Sequence, residues 1–93
     1  MFVFYFNQEE MSIDEFHLRN KRLIHLLTMN AIKECLKNRL EEKAFMIIMP
    51  KNEIFTIKKH EFKRSLNNCL IYFENEEMYE ECSECLELIK FIS

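Results

Sequence analysis

From Ile13 to Leu40 apolar residues recur every three or four positions, in two stripes. One stripe holds Ile13, Phe16, Leu23, Ile24, Leu27, Ala31 and Cys35. The other holds Leu26, Met29, Ile32, Leu36 and Leu40, well round the cylinder. This spacing predicts a helix over residues 13–43 that is apolar on two sides through its middle. Such a helix either bends, here near residues 28–30, or turns its second side to a partner subunit. Its start is marked by Ser12 and Glu15 in the S-x-x-E spacing of a capping box, with Met11 and Phe16 placed for the accompanying hydrophobic staple. Asp14 and Glu15 also suit the positive end of the helix dipole.

Before the helix, "FVFYF" (residues 2–6) reads as a short strand with no polar alternate position. A strand of that kind is covered on both faces or pairs with another chain. After the helix, "AFMIIM" (44–49) and "EIFTIK" (53–58) flank "PKN", which predicts a β-hairpin whose turn begins at Pro50. Phe62, Leu66, Cys69, Leu70 and Phe73 then predict a helix over residues 60–74. "ENEE" interrupts the period, and a last helix over 76–92 follows. Its stripe is Met78, Cys82, Cys85, Ile89 and Ile92, with Glu77, Glu80, Glu81, Glu84 and Glu87 on the opposite side. The short break implies an antiparallel helical hairpin. The expected fold is α+β and helix-dominated, in one small domain over residues 1–93: N-terminal strand, long helix, β-hairpin, helical hairpin. The three strands are expected to form one small sheet covered by helices.

The chain has no glycine and one proline. Without glycine, the tight turns and close backbone approaches that cradle phosphate are hard to build, which argues against a P-loop or a dinucleotide site. No stretch approaches the roughly 18–20 apolar residues of a membrane span. The apolar opening is too short for a signal peptide and lacks a basic front. The expected setting is therefore cytoplasmic, with no membrane partner, and the four cysteines are expected as thiols or metal ligands rather than disulfides.

Cys82 and Cys85, in "EECSECLELI", form the one motif that could carry chemistry. Both fall on the apolar stripe of the last helix. Cys69 sits about as far before the hairpin turn as Cys82 sits after it, and Cys35 lies on the early stripe of the long helix. A tetrahedral zinc held by Cys35, Cys69, Cys82 and Cys85 is one reading. It is weakened because each cysteine fits a core position where leucine or alanine would serve, and because C-x-x-C zinc pairs usually sit in tight turns. A redox pair is disfavoured by the surrounding glutamates, which raise a thiol pKa. His17, His25 and His60 are scattered, with no H-E-x-x-H. Ser12, Ser65, Ser83 and Ser93 belong to no nucleophile motif. The residues give no reason to expect an enzyme, a cofactor or a metal.

Charge is distributed unevenly. The net charge is −3, but residues 1–16 carry four acids and no base, residues 17–64 twelve bases and five acids, and residues 65–93 seven acids and one base. Such asymmetry points to a partner surface or self-association. The favoured function is a small non-enzymatic protein that binds another protein or its own copies. Its expected contact residues are Glu77, Glu80, Glu81, Glu84 and Glu87 on the acidic side, and Leu26, Met29 and Leu36 on the second stripe of the long helix. The first alternative is a nucleic-acid-binding accessory protein using Arg19, Lys21 and Arg22 with Lys58, Lys59, Lys63 and Arg64. The second is the zinc-stabilised module. Plentiful isoleucine, lysine, asparagine and glutamate give the chain the cast of small bacteriophage proteins, either virion components or inhibitors of host machinery. By that analogy the protein would work in a host cytoplasm or a virion.

Overall fold

The computed structural model describes residues 1–5 and 11–92. The chain is α+β with helix predominating, in the order β1 (Phe2–Tyr5), α1 (Ile13–Arg19), α2 (Lys21–Asn38), β2 (Glu42–Met49), β3 (Glu53–Lys58), α3 (Phe62–Asn75) and α4 (Tyr79–Ile92). A short 3-10 turn, Lys59–Glu61, leads into α3. Phe6, the last position of the expected first strand, and the acids Glu9 and Glu10 lie outside the described residues.

The three strands form one sheet in the order β1-β2-β3. β1 runs parallel to β2, with Phe2 opposite Met46 and Tyr5 opposite Met49. β2 runs antiparallel to β3, with Ile47 opposite Ile54 and a bulge between Ala44 and Met46. The hairpin turns over residues 50–52, as the "PKN" signal indicates, with a cis Met49–Pro50 bond.

The helix expected over residues 13–43 is two helices. Ser12 Oγ accepts from the Glu15 amide at 3.1 Å, which is one arm of the expected capping box. The Glu15 carboxylate takes Arg19 instead, at 3.1 Å. The break falls at Asn20, not at residues 28–30. Asn20 gives both its backbone N–H and its side-chain amide to the Phe16 carbonyl, at 3.1 and 2.9 Å, and its own carbonyl accepts from Ile24 to begin α2. α2 is continuous past Thr28 and ends at Asn38. Arg39 then adopts a left-handed conformation (φ 55°), and the Leu40 amide closes back on the Cys35 carbonyl at 2.8 Å. β2 therefore begins at Glu42, inside the span expected to be helical.

α2 is the middle layer of the molecule. Ile24 and Leu27 pack toward the sheet, on a small core of Phe16, Met46 and Ile48. Met29, Ile32 and Cys35 face the helical hairpin, on a larger core that includes Leu66, Cys69, Phe73 and Cys85. Two-sided apolarity is what a middle layer requires. α3 and α4 are antiparallel neighbours joined by a turn in which Glu77 is left-handed (φ 57°). There Glu77 N–H bonds the Glu74 carbonyl at 3.1 Å and Met78 N–H bonds the Phe73 carbonyl at 2.8 Å. This pair of bonds is the Schellman closure, with Met78 and Phe73 supplying its usual apolar contact.

Candidate interaction surface

Among the described residues the sheet has one covered face and one open face. Residues directly opposite one another on paired strands share a face, and faces alternate along each strand. Phe4, Met46 and Ile48 point to α1 and α2; Phe4 meets Phe16 edge-on with ring centroids 5.0 Å apart. The intervening positions point the other way. Val3, Ile47 and Ile54 make one row across all three strands, and Tyr5 and Met49 make the next. Val3 is 47% exposed, Ile54 57% and Tyr5 78%. Ile47 and Met49 are half-buried. Among the described residues the helical packing on the sheet comes from α1 and α2, through the face that carries Phe4, Met46 and Ile48.

Sheets with one wet face normally carry polar residues there, and parallel pairs are normally covered on both faces. This face is mixed: Val3, Tyr5, Ile47, Met49 and Ile54 make an uncharged apolar patch toward the hairpin turn, and Thr56, Lys58 and Glu42 lie on the same face toward the other end. The two sheet edges also differ. The β3 edge carries Glu53 and Lys58, which discourage strand addition, whereas "FVFY" of β1 carries no charge.

The residues expected to bind a partner fall elsewhere. Met29 is 5% exposed, and Leu26 and Leu36 pack against the same hairpin core. This corrects the reading of that stripe as a partner surface: α3 and α4 already cover it. The acids lie on or beside α4, with Glu77, Glu80 and Glu87 exposed and Glu81 and Glu84 half-buried. Glu84 pairs with Lys33 on α2 at 2.7 Å, and this contact raises the Lys33 pKa above its ordinary value. Among the described residues it is the one salt bridge joining the basic middle of the sequence to the acidic hairpin. Glu77 serves the backbone of the α3–α4 turn.

The two basic clusters do not merge. Arg19, Lys21 and Arg22 stand at the start of α2. Lys58 and Lys59 stand beside its far end, where the Lys59 amide bonds the Glu41 carbonyl at 2.8 Å. Lys63 and Arg64 open α3, whose first residue, Phe62, lines a groove with Cys35 and Leu36. An 18-residue helix separates its ends by roughly 27 Å. Acids are also close by: Arg19 pairs with Glu15 at 3.1 Å, Lys59 with Glu41 at 3.8 Å and Arg64 with Glu61 at 3.6 Å.

All four cysteines are buried free thiols. Cys69 donates to the His25 carbonyl at 3.6 Å, and Cys85 lies 3.3 Å from the Met29 sulfur. Loss of solvent pushes the Cys69 thiol up to about 11 and, with its neighbouring thiols adding to the effect, the Cys85 thiol up to about 12. Thiols held neutral this way are poor nucleophiles and poor ligands. Among the described residues no group of three or more histidine, cysteine or acidic side chains is placed to hold a metal ion, so the four-cysteine zinc set is not assembled.

The break at Asn20 has one effect that the spacing conceals. It brings His17 and His25 into one open groove of about 290 Å³ with Asp14, Leu18, Lys21 and Ile24. His25 stacks flat on Tyr72, with centroids 4.3 Å apart, and its Nδ1–H donates to the Lys21 carbonyl at 2.6 Å. These contacts give His25 a packing role between α2 and α3. No described helix is long and apolar enough to cross a membrane. Compared with known proteins, the chain matches no family model, no curated protein and no solved structure.

Proposed function

We propose that the chain is a non-enzymatic protein-binding or assembly module that works through the open face of its sheet. The observation that carries this reading is the uncharged row Val3–Ile47–Ile54, continued by Tyr5 and Met49, on a face with no cover among the described residues. Contiguous exposed apolar surface of this kind marks an interaction site. The acidic side of α4 serves as a solvated face that keeps the chain dispersed. The likeness in composition to small bacteriophage proteins supports a role in virion assembly or in inhibiting host machinery, in the host cytoplasm or the virion. Nucleic-acid contact is less well supported, because the basic side chains stand in two separate groups beside their own acids.

A photo-crosslinking residue placed at Ile54, in cells, tests the proposal. Covalent capture of protein from Ile54, but not from the equally exposed Ile71 on α3, is the expected result. Equal capture from both positions, or none from Ile54, would sink it. Charge reversal at Glu80 and Glu87 should leave capture from Ile54 unchanged.

A further inference from the structure

We infer that the acidic α3–α4 turn of one chain docks in a basic groove at the opposite end of the hairpin of a second copy, so that copies associate turn to groove. This contact is separate from the open face of the sheet and goes beyond the function proposed for that face. Three observations carry it.

The first is a polarity along the hairpin. α3 and α4 are antiparallel, so their turn closes one end, and the start of α3 meets the end of α4 at the other. Residues 74–81, around the turn, carry five acids and no base. None of these carboxylates is in a salt bridge, and Lys21 and Arg22, at the near end of α2, pair with none of them. At the far end residues 58–64 carry four bases and one acid, and residues 37–43 three bases and two acids. Lys59 and Arg64 stand near Glu41 and Glu61, at 3.8 and 3.6 Å, whereas Arg39, Lys58 and Lys63 are in no salt bridge.

The second is the groove at that far end. Buried Cys35 and Phe62 and half-buried Leu36 form its floor, Leu40 and Phe91 its apolar walls, and Arg39, Glu41 and Lys59 its charged rim, around about 380 Å³. Phe91 is 73% exposed. A further open groove, lined by Glu42, Lys58 and His60, joins it through Glu41 and Lys59. Apolar walls beneath a mainly cationic rim suit an acidic segment that carries an aromatic ring.

The third is that the turn is such a segment. Tyr79, 68% exposed, opens α4 between Glu77 and Glu80. A 14-residue helix holds turn and groove roughly 21 Å apart, so they meet only between chains. Turn against turn, or groove against groove, would oppose like charges, and turn against groove opposes unlike ones. A contact between unlike patches extends as a row or closes into a ring. Glu84 and Glu87 lie further along α4 and take no part.

Sedimentation velocity on the full chain, from about 1 µM to about 1 mM, tests this. In about 0.02 M salt the mean mass should climb above one chain as concentration rises, and in about 0.5 M salt, where exposed charges are screened, it should stay near one chain. Glu74→Gln with Glu76→Gln and Glu80→Gln should weaken association at least about tenfold with an unchanged circular dichroism spectrum. Arg39→Gln with Lys59→Gln should do the same. An equimolar mixture of the two variants should recover pairs, because one keeps its groove and the other its turn. Phe91→Ser, which keeps every charge, should also weaken association, and it replaces the groove variant in the mixture if the Arg39 change disturbs the end of α2. Ile54→Lys should associate as the parent does. A single-chain mass at every concentration in low salt overturns the contact. So does association indifferent to salt, or a mixture that pairs no better than either variant alone. Loss of association on Ile54→Lys also overturns it and assigns self-association to the open face instead.

Discussion

Two hydrophobic cores of unequal depth share the helix α2. Toward the hairpin, eleven residues are buried, including all four cysteines. Toward the sheet, three are buried, Phe16, Met46 and Ile48, ringed by half-buried Phe4, Met11, Ile13, Ile24, Leu27, Phe45 and Phe55. The strands are proportionally richer in large apolar side chains than the hairpin helices, yet three of their residues are buried, Met46, Ile48 and Ile57, against six in α3 and α4, three of those being cysteines. Burial here follows the number of covers rather than the hydrophobicity of the segment. α3, α4 and α2 cover one another, whereas among the described residues the sheet has helices on one side only. The difference separates a self-sufficient half from one with apolar surface to share.

The largest expected effect comes from truncating each core in turn. Phe73→Ala removes a ring with no exposed surface from the deep core and should cost about 3–5 kcal/mol in denaturant unfolding. Phe4→Ala, in the shallow core, should cost about 1–2 kcal/mol, because its ring is already partly solvated. Equal losses would mean that the cores do not differ in depth.

Next comes alkaline unfolding, which is specific to the deep core. Free thiols ionise near pH 9.0, and burial raises Cys69 to about 11 and Cys85 to about 12. A thiol with a raised folded pKa favours the folded state fully below the unfolded value, and that preference is lost as pH climbs through the folded value. Stability should hold to about pH 9 and then fall steadily towards pH 12. Cys69→Ala and Cys85→Ala should each flatten the fall. An unchanged slope in both would remove the thiols from the explanation.

Amide exchange should sharpen the contrast. Protection in α3 and α4 should approach that of global unfolding, while β1 and α1 open roughly tenfold more often or faster still. Uniform protection across all elements would show that the shallow half never opens alone.

The smallest effect expected is a gain. Glu77 takes the left-handed position that glycine usually fills, at about 1 kcal/mol for a residue with a Cβ. Glu77→Gly should raise the unfolding midpoint by a few degrees. Glu77→Ala removes the same charge without relieving the backbone and should not. If the two variants behave alike, charge rather than conformation is the cause.

Much of the fold is legible in the sequence, and the failures have physical reasons. The Ser12 cap, the hairpin around residues 50–52 and the period of α3 and α4 are local signals, and all appear where the spacing puts them. Helix ends are harder to read. Arg39 and Glu77 close α2 and α3 in conformations that glycine would have flagged, and Asn20 breaks a helix with neither glycine nor proline. The candidate surface is half legible. The missing polar alternation in "FVFYF" already asks for a cover on both faces or for pairing with another chain. The row Val3–Ile47–Ile54 exists only through long-range register, which no local pattern encodes. The same blindness hides the fact that the second stripe of α2 meets its own hairpin.

The parallel pairing of β1 with β2 also governs timing. Phe2 finds its partner in Met46, so α1 and α2 must be made before the first strand can be housed. On the ribosome β1 would wait as an uncharged, aromatic edge while its mate is synthesised. Many nascent copies side by side would then offer such edges to one another. The segment that completes the sheet late is thus also the one through which crowded synthesis would lead to misassembly.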